Sequence, residues 1–245
     1  MAQFRSAIVV ASIAAGLWPP TALAQGMENT RSVAVSVGTG LTLGGNVITE
    51  AVGSIDGRPT VLVEQGYGNH FSDALRVRVT GNKGLDFTKE VFATFAYNKM
   101  NATERITGST AGYPLYTRFS NTSALDVEGG LRYYFLPEGP IRTYVAGVGG
   151  VRFQDRIGAT IRVLEVGLTL ADLDYFESST LFLFGADTGV SYDLSDAVAV
   201  GAEIGLRYQP KFKPAPVLPG TGLEDINDTG SRVTLPLSAF LTWRF

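Results

Sequence analysis

The chain has one histidine, His70, which precedes Ser72 and Asp73 by two and three residues. An imidazole, a hydroxyl and a carboxylate are the parts of a nucleophile activated by a general base. Packed into four residues of chain they cannot form a relay by adjacency, because such triads are assembled in space. We therefore read His70 as a solvated loop residue and expect no catalysis. The sequence contains no cysteine, which removes disulfides, thiolate nucleophiles and thiolate metal sites. Asp172, Asp174 and Glu177, and again Glu224, Asp225 and Asp228, offer the oxygen ligands that hard divalent cations take. They lack the fixed spacing of a calcium loop and read as solvated loop charge. Gly38-x-Gly40 and Gly147-x-Gly149 have no strand-to-helix context and are not phosphate loops. No metal or cofactor is expected.

A larger set of charges is placed by periodicity. Arg76, Arg78, Asp126, Glu128, Arg132, Asp187, Asp193, Glu203, Arg207, Arg232 and Arg244 all fall on the polar parity of stretches whose other parity is apolar. Alternate side chains of a strand point to opposite faces. Residues 32–43, 75–80, 91–98, 125–135, 182–194, 198–208 and 232–245 alternate in this way. In the last of them Val233, Leu235, Leu237, Ala239, Leu241, Trp243 and Phe245 form the apolar row. Residues 142–153 are blurred by Gly147, Gly149 and Gly150; Tyr144, Ala146 and Val148 are assigned outward there, with glycines filling a narrow lumen. Eight strands with one apolar and one polar face describe a cylinder with lipid outside and a charged interior. The fold class is all-β, an eight-stranded antiparallel up-and-down transmembrane barrel. So narrow a barrel is filled by its own side chains. Buried charges are costly unless paired, and arginine matches a carboxylate with a planar fork. The eleven charges are read as an ion-paired filling of the lumen; a gate or narrow conduit is the alternative.

The connections alternate in length. Short turns fall near 81–89, 137–140 and 195–196, and long polar ones span about 44–73, 101–123, 154–179 and 209–230. Short turns on the periplasmic side and long loops outside are expected of outer-membrane barrels. The first long connection carries Asp56-Gly57, a turn-forming pair, between residues 47–53 and 60–65. It is read as a hairpin above the membrane, with a ten-stranded barrel as the alternative. The third is apolar, with Leu164, Val166, Leu168, Leu170, Leu173, Tyr175 and Phe176. It either extends the strands, folds over the mouth or offers a contact surface. The fourth, with Pro210, Pro214, Pro216 and Pro219, is expected to be an irregular surface loop.

Residues 1–24 read as a cleavable export signal: Arg5, then the apolar run 7–17, then Ala22-Leu23-Ala24. Residues 25–245 form a single domain. Hydrophobic residues make up 45% of the chain but are dispersed, so a membrane protein here must be a barrel. A net charge of −3 argues against nucleic acid, which needs a basic patch.

Tyr144-Val145-Ala146-Gly147-Val148-Gly149, the stretch Gly189-Val190-Ser191-Tyr192-Asp193-Leu194-Ser195-Asp196, Gly205-Leu206-Arg207-Tyr208 and the terminal Trp243-Arg244-Phe245 resemble the small Gram-negative outer-membrane barrels of OmpA and OmpX type and related porin-family surface antigens. The resemblance implies passage to the periplasm and insertion by the barrel-assembly machinery, with Leu241, Trp243 and Phe245 as the assembly signal. Phe240 stands where a glycine is usual, so the lumen must accept a ring there. The implied surroundings are outer-membrane lipids and lipopolysaccharide. The expected role is non-enzymatic, structural or in surface recognition, with loop 154–179 as a candidate partner surface. A small porin-like conduit and a lipid-modifying enzyme are the second and third readings.

Overall fold

The computed structural model describes residues 28–135 and 139–245; the export signal expected at 1–24 lies outside them. Eight strands close a barrel: β1 (Arg31–Gly44), β6 (Ala74–Gly84), β7 (Lys89–Met100), β10 (Thr122–Tyr134), β11 (Ile141–Gln154), β14 (Ser179–Asp193), β15 (Val198–Gln209) and β16 (Arg232–Arg244). Each pairs antiparallel with its neighbours along the chain, and β1 pairs with both β6 and β16 to seal the cylinder. The count is eight, not ten. Burial alternates residue by residue along β6 and β7, as it must where one face meets the lumen. The second barrel strand, short in the sequence reading, runs eleven residues because Gly81, Asn82, Lys83 and Gly84 keep the alternation. The turn after it is correspondingly tight. Asp86 Oδ1 accepts the backbone N–H of Thr88 and of Lys89, both at 2.8 Å, an Asx-type turn.

The long connections at the other end are not loose. The first holds β2 (Asn46–Ile48), β3 (Ala51–Ile55), β4 (Arg58–Leu62), β5 (Gln65–Gly66) and the single-turn α1 (Tyr67–His70). The second holds β8 (Arg105–Thr110) and β9 (Tyr113–Phe119), and the third β12 (Ile157–Val163) and β13 (Leu168–Phe176). The three hairpins join edge to edge into a six-stranded sheet, β13-β12-β9-β8-β4-β3. The hairpin expected around Asp56-Gly57 is there, with positive φ at both residues, the backbone that two-residue hairpin turns need. The fourth connection, 210–231, is irregular, as its prolines dictate, but it is not a surface loop. Phe212, Val217, Leu223 and Ile226 are buried against the six-stranded sheet. This cap has its own apolar core, to which Phe71, Leu115, Phe119, Ile157, Ile161, Tyr175 and Phe176 also contribute. The apolar residues of the third connection are thus partly spent inside the cap.

Candidate functional site: the charged lumen and its cap

All eleven charged positions derived from periodicity face the interior. They fall into three groups of contact. Near the turn end, Arg142 and Arg244 both bind Asp193, at 2.7 and 2.5 Å. Arg132 pairs with Glu90 and lies 4.4 Å from the ring centre of Tyr144. Tyr144 Oη donates to Glu203 (2.7 Å), which also pairs with Arg78 (2.8 Å). Deeper, Arg207 bridges Asp187 (2.5 Å) and Glu128 (3.2 Å). Glu128 also holds Arg76 (2.5 Å). Arg152 makes two bonds to Asp126, at 2.6 and 2.8 Å, and a third to Gln209. Arg232 closes the series through Gln209 Oε1 (2.6 Å).

Burial makes this pairing obligatory. Asp126 is 0% exposed and Arg207 1%, and an unpaired charge so placed would cost several kcal/mol. Backbone room is made for it. A side chain at Gly205 would collide with Asp187, and one at Gly189 with the Tyr144 hydroxyl.

Residues 142–153 correct the sequence reading. Tyr144, Ala146 and Val148 point inward, while Val145 is exposed and Gly147 and Gly149 lie on the outside. The glycines do not fill the lumen; Tyr144 does, packed on Tyr134 with Phe240 beside it. The missed signal was parity. Arg142 and Arg152 are in phase with Tyr144, and two arginines outweigh one ring in deciding which face is polar. Glu90 falls between the turn expected at 81–89 and the alternation expected from 91, so the periodicity does not assign it a face.

The interior leaves little free space. A cavity of about 40 Å³ lies among Arg78, Glu90, Arg132, Tyr144 and Glu203, and one of about 20 Å³ among Arg76, Arg152 and Arg232. A water needs roughly 10–15 Å³ by this measure, so each holds a few waters at most. The outer wall is the reverse. Leu75, Val77, Val79, Phe95, Tyr97, Leu125, Phe182, Phe184, Leu206 and Trp243 are all exposed.

His70 is not solvated. It is fully buried, edge-on to Phe119 with ring centres 5.0 Å apart. No side chain hydrogen-bonds either ring nitrogen. Burial, aided by the positive charge of Arg105, lowers its pKa to about 4, so it is neutral at pH 7. The Ser72 hydroxyl donates to the Asp73 carbonyl and accepts from Asn101 N–H. No Ser-His-Asp relay is assembled. The acidic clusters are dispersed into surface contacts: Asp174 with Arg156, Glu177 with Lys213, Asp228 with Lys211. Glu224 accepts the backbone N–H of Thr221 and Gly222. No group of three potential metal ligands occurs among the described residues.

The cap is fastened by Tyr175, whose hydroxyl lies 2.9 Å from the Val47 carbonyl and 3.1 Å from that of Ile226. Asn227 Nδ2 donates in turn to the carbonyls of Tyr175 and Ala215. An open groove of about 540 Å³ in the cap is lined by Gln65, Asn69, Glu104, Arg105, Ile106 and Tyr116.

No protein-family model matches the chain, and no curated protein does. Among solved structures it is similar to neisserial surface protein A (15% identity, covering 88% of this chain and 97% of that one, TM-score 0.44). It is also similar to the outer membrane protein OprG of Pseudomonas aeruginosa (12%, 90% and 99%, 0.45). A third is Ail, the attachment invasion locus protein of Yersinia pestis (10%, 89% and 100%, 0.42). These likenesses are distant, and the closed eight-stranded transmembrane-type barrel rests on the strand pairing and the apolar outer wall of this chain itself.

Proposed function

We propose that this chain is a non-enzymatic integral outer-membrane barrel that displays a folded cap at the cell surface and serves envelope structure, adhesion or surface recognition. The observation that carries the reading is the inverted polarity of the barrel: charges within, nearly all of them paired, and a predominantly apolar wall without. In water that wall would be a severe aggregation liability; in a bilayer it is the required surface. Export through the signal at 1–24, insertion by the assembly machinery reading Leu241, Trp243 and Phe245, and contact with outer-membrane lipids and lipopolysaccharide belong to the same reading. Recognition of a surface partner is assigned to the cap. There the 540 Å³ groove and the exposed corner at Leu164, within 154–179, are accessible.

Single-channel recording in planar bilayers tests the reading. A closed baseline is expected; a steady large current would favour the porin-like conduit instead. Lipid hydrolysis or acyl transfer lost on His70→Ala would reinstate the enzyme reading, which the absence of a His70 hydrogen bond to Ser72 disfavours.

A further inference from the structure

The lumen does not balance its charge. Eight inward arginines meet six inward carboxylates, four against three toward each end; at the turn end Arg142 and Arg244 share Asp193, whereas at the cap end one arginine is left without a contacting carboxylate. Every other inward arginine has a carboxylate within 4 Å; Arg232, 2% exposed, has none among the described residues. Its guanidinium lies 3.9 Å from the ring centre of Phe212 and 4.8 Å from that of Tyr67. Its hydrogen bond goes to Gln209, a neutral amide already shared with Arg152. Arg232 Nε is buried without an acceptor, and so is Arg76 Nε. An arginine in a protein keeps its proton. Ring faces attract the cation but supply no net negative charge.

The cavity of about 20 Å³ lies against this residue. Arg76, Arg152, Arg232, Asn98, Thr42 and Thr234 line it, with apolar groups including Met100 between them and no carboxylate in the lining. Its size suits one water-sized occupant. Three guanidinium groups and two hydroxyls stand in this lining, and the Nε–H groups of Arg76 and Arg232 have no acceptor. The carboxylates of Asp126 and Glu128 lie behind Arg76 and Arg152 and are already committed to them.

We infer that this cavity is a binding site for one small inorganic anion of the halide class, which neutralises Arg232 and ties the cap to the barrel. An ion there contacts β16 through Arg232 and Thr234, and β6 and β11 through Arg76 and Arg152. It sits beneath Tyr67 and Phe212, the cap residues stacked on Arg232. Bulky organic anions do not fit.

The test uses the refolded full barrel in detergent, unfolded thermally in sodium bromide or sodium gluconate at equal ionic strength. The wild type should gain stability with bromide in a saturable way, by on the order of 2–4 °C, and gluconate should not reproduce it. Gln209→Glu places a carboxylate beside Arg232 in the protein itself. It should raise the midpoint in gluconate and abolish the bromide response. Arg232→Met should also abolish the response, but it also removes packing, so Gln209→Glu is the deciding variant. Anomalous scattering from a bromide-grown crystal should show a peak between Arg76, Arg152 and Arg232. Equal bromide responses in wild type and Gln209→Glu, or a cavity without an anomalous peak, would overturn the assignment.

Discussion

The barrel and the cap are built by one chain from the same kinds of strand, yet they are inside out with respect to each other. In the barrel, Arg207, Asp126 and Glu128 are buried while Phe95, Phe182 and Phe184 are exposed. In the cap, Phe119, Phe176 and Leu115 are buried, while Arg156, Lys211 and Lys213 lie on the surface with their carboxylate partners. The switch happens within single hairpins. From β9 to β10 it falls between Phe119, the last residue of β9 and inside the cap core, and Leu125 of β10, outside on the barrel wall. What differs is the surrounding solvent. Apolar surface is driven out of water but not out of hydrocarbon, so each half turns toward its neighbour the face that the neighbour accepts.

Perturbing each interior should therefore fail in a different way. In the barrel, Glu128→Leu takes the nearest carboxylate from Arg76, leaves Arg207 with Asp187 alone and should cost about 3–5 kcal/mol, read as a lowered urea midpoint for folding into vesicles. In the cap, Phe119→Ala removes a ring contacting His70, Phe71 and Tyr175. A loss of about 3–5 kcal/mol is expected there, confined to the cap. Proteolysis should then cleave residues 45–73 and 210–231 while the barrel still migrates as folded on an unheated gel. Global unfolding by this variant would mean that the two regions are one cooperative unit.

On the wall, Val79→Arg puts a charge on the exposed row of β6 and should destabilise by about 2–4 kcal/mol if that position lies near the membrane midplane. The same urea titration measures it.

Mild acid should loosen the cap. His70 carries a depressed pKa of about 4 against an unfolded value of roughly 6.5. Between those values the unfolded cap binds more protons, so cap stability is full above about pH 6.5 and falls as the pH drops toward 4, at most about tenfold in the unfolding equilibrium per pH unit. Protease susceptibility of the cap against pH should show this slope in the wild type, and His70→Phe should flatten it.

Much of this was legible because a strand's period of two is insensitive to context. The barrel, its strand number and the inward direction of all eleven charges follow from parity, as does the Asp56-Gly57 hairpin from its turn pair. What parity could not give was who pairs with whom. Arg207 meets Glu128 across the lumen rather than along a strand, and such contacts depend on the shear of the closed sheet. Parity also failed where glycines diluted it, at residues 142–153. The cap was hidden for another reason. His70 and Phe212 read as loop residues by local composition, and only the joining of four distant connections buries them.

Because the chain has no cysteine, single spin-labelled cysteines can report which solvent each face meets, and accessibility to oxygen and to a water-soluble nickel chelate along β6 in bilayers is the most direct test of the inversion. Leu75, Val77 and Val79 should favour oxygen, Arg76 and Arg78 should be shielded from both, and exposed cap positions such as Val52 should favour nickel. Nickel access equal at all β6 positions, or greatest at Val77 and Val79, would contradict a lipid-facing wall.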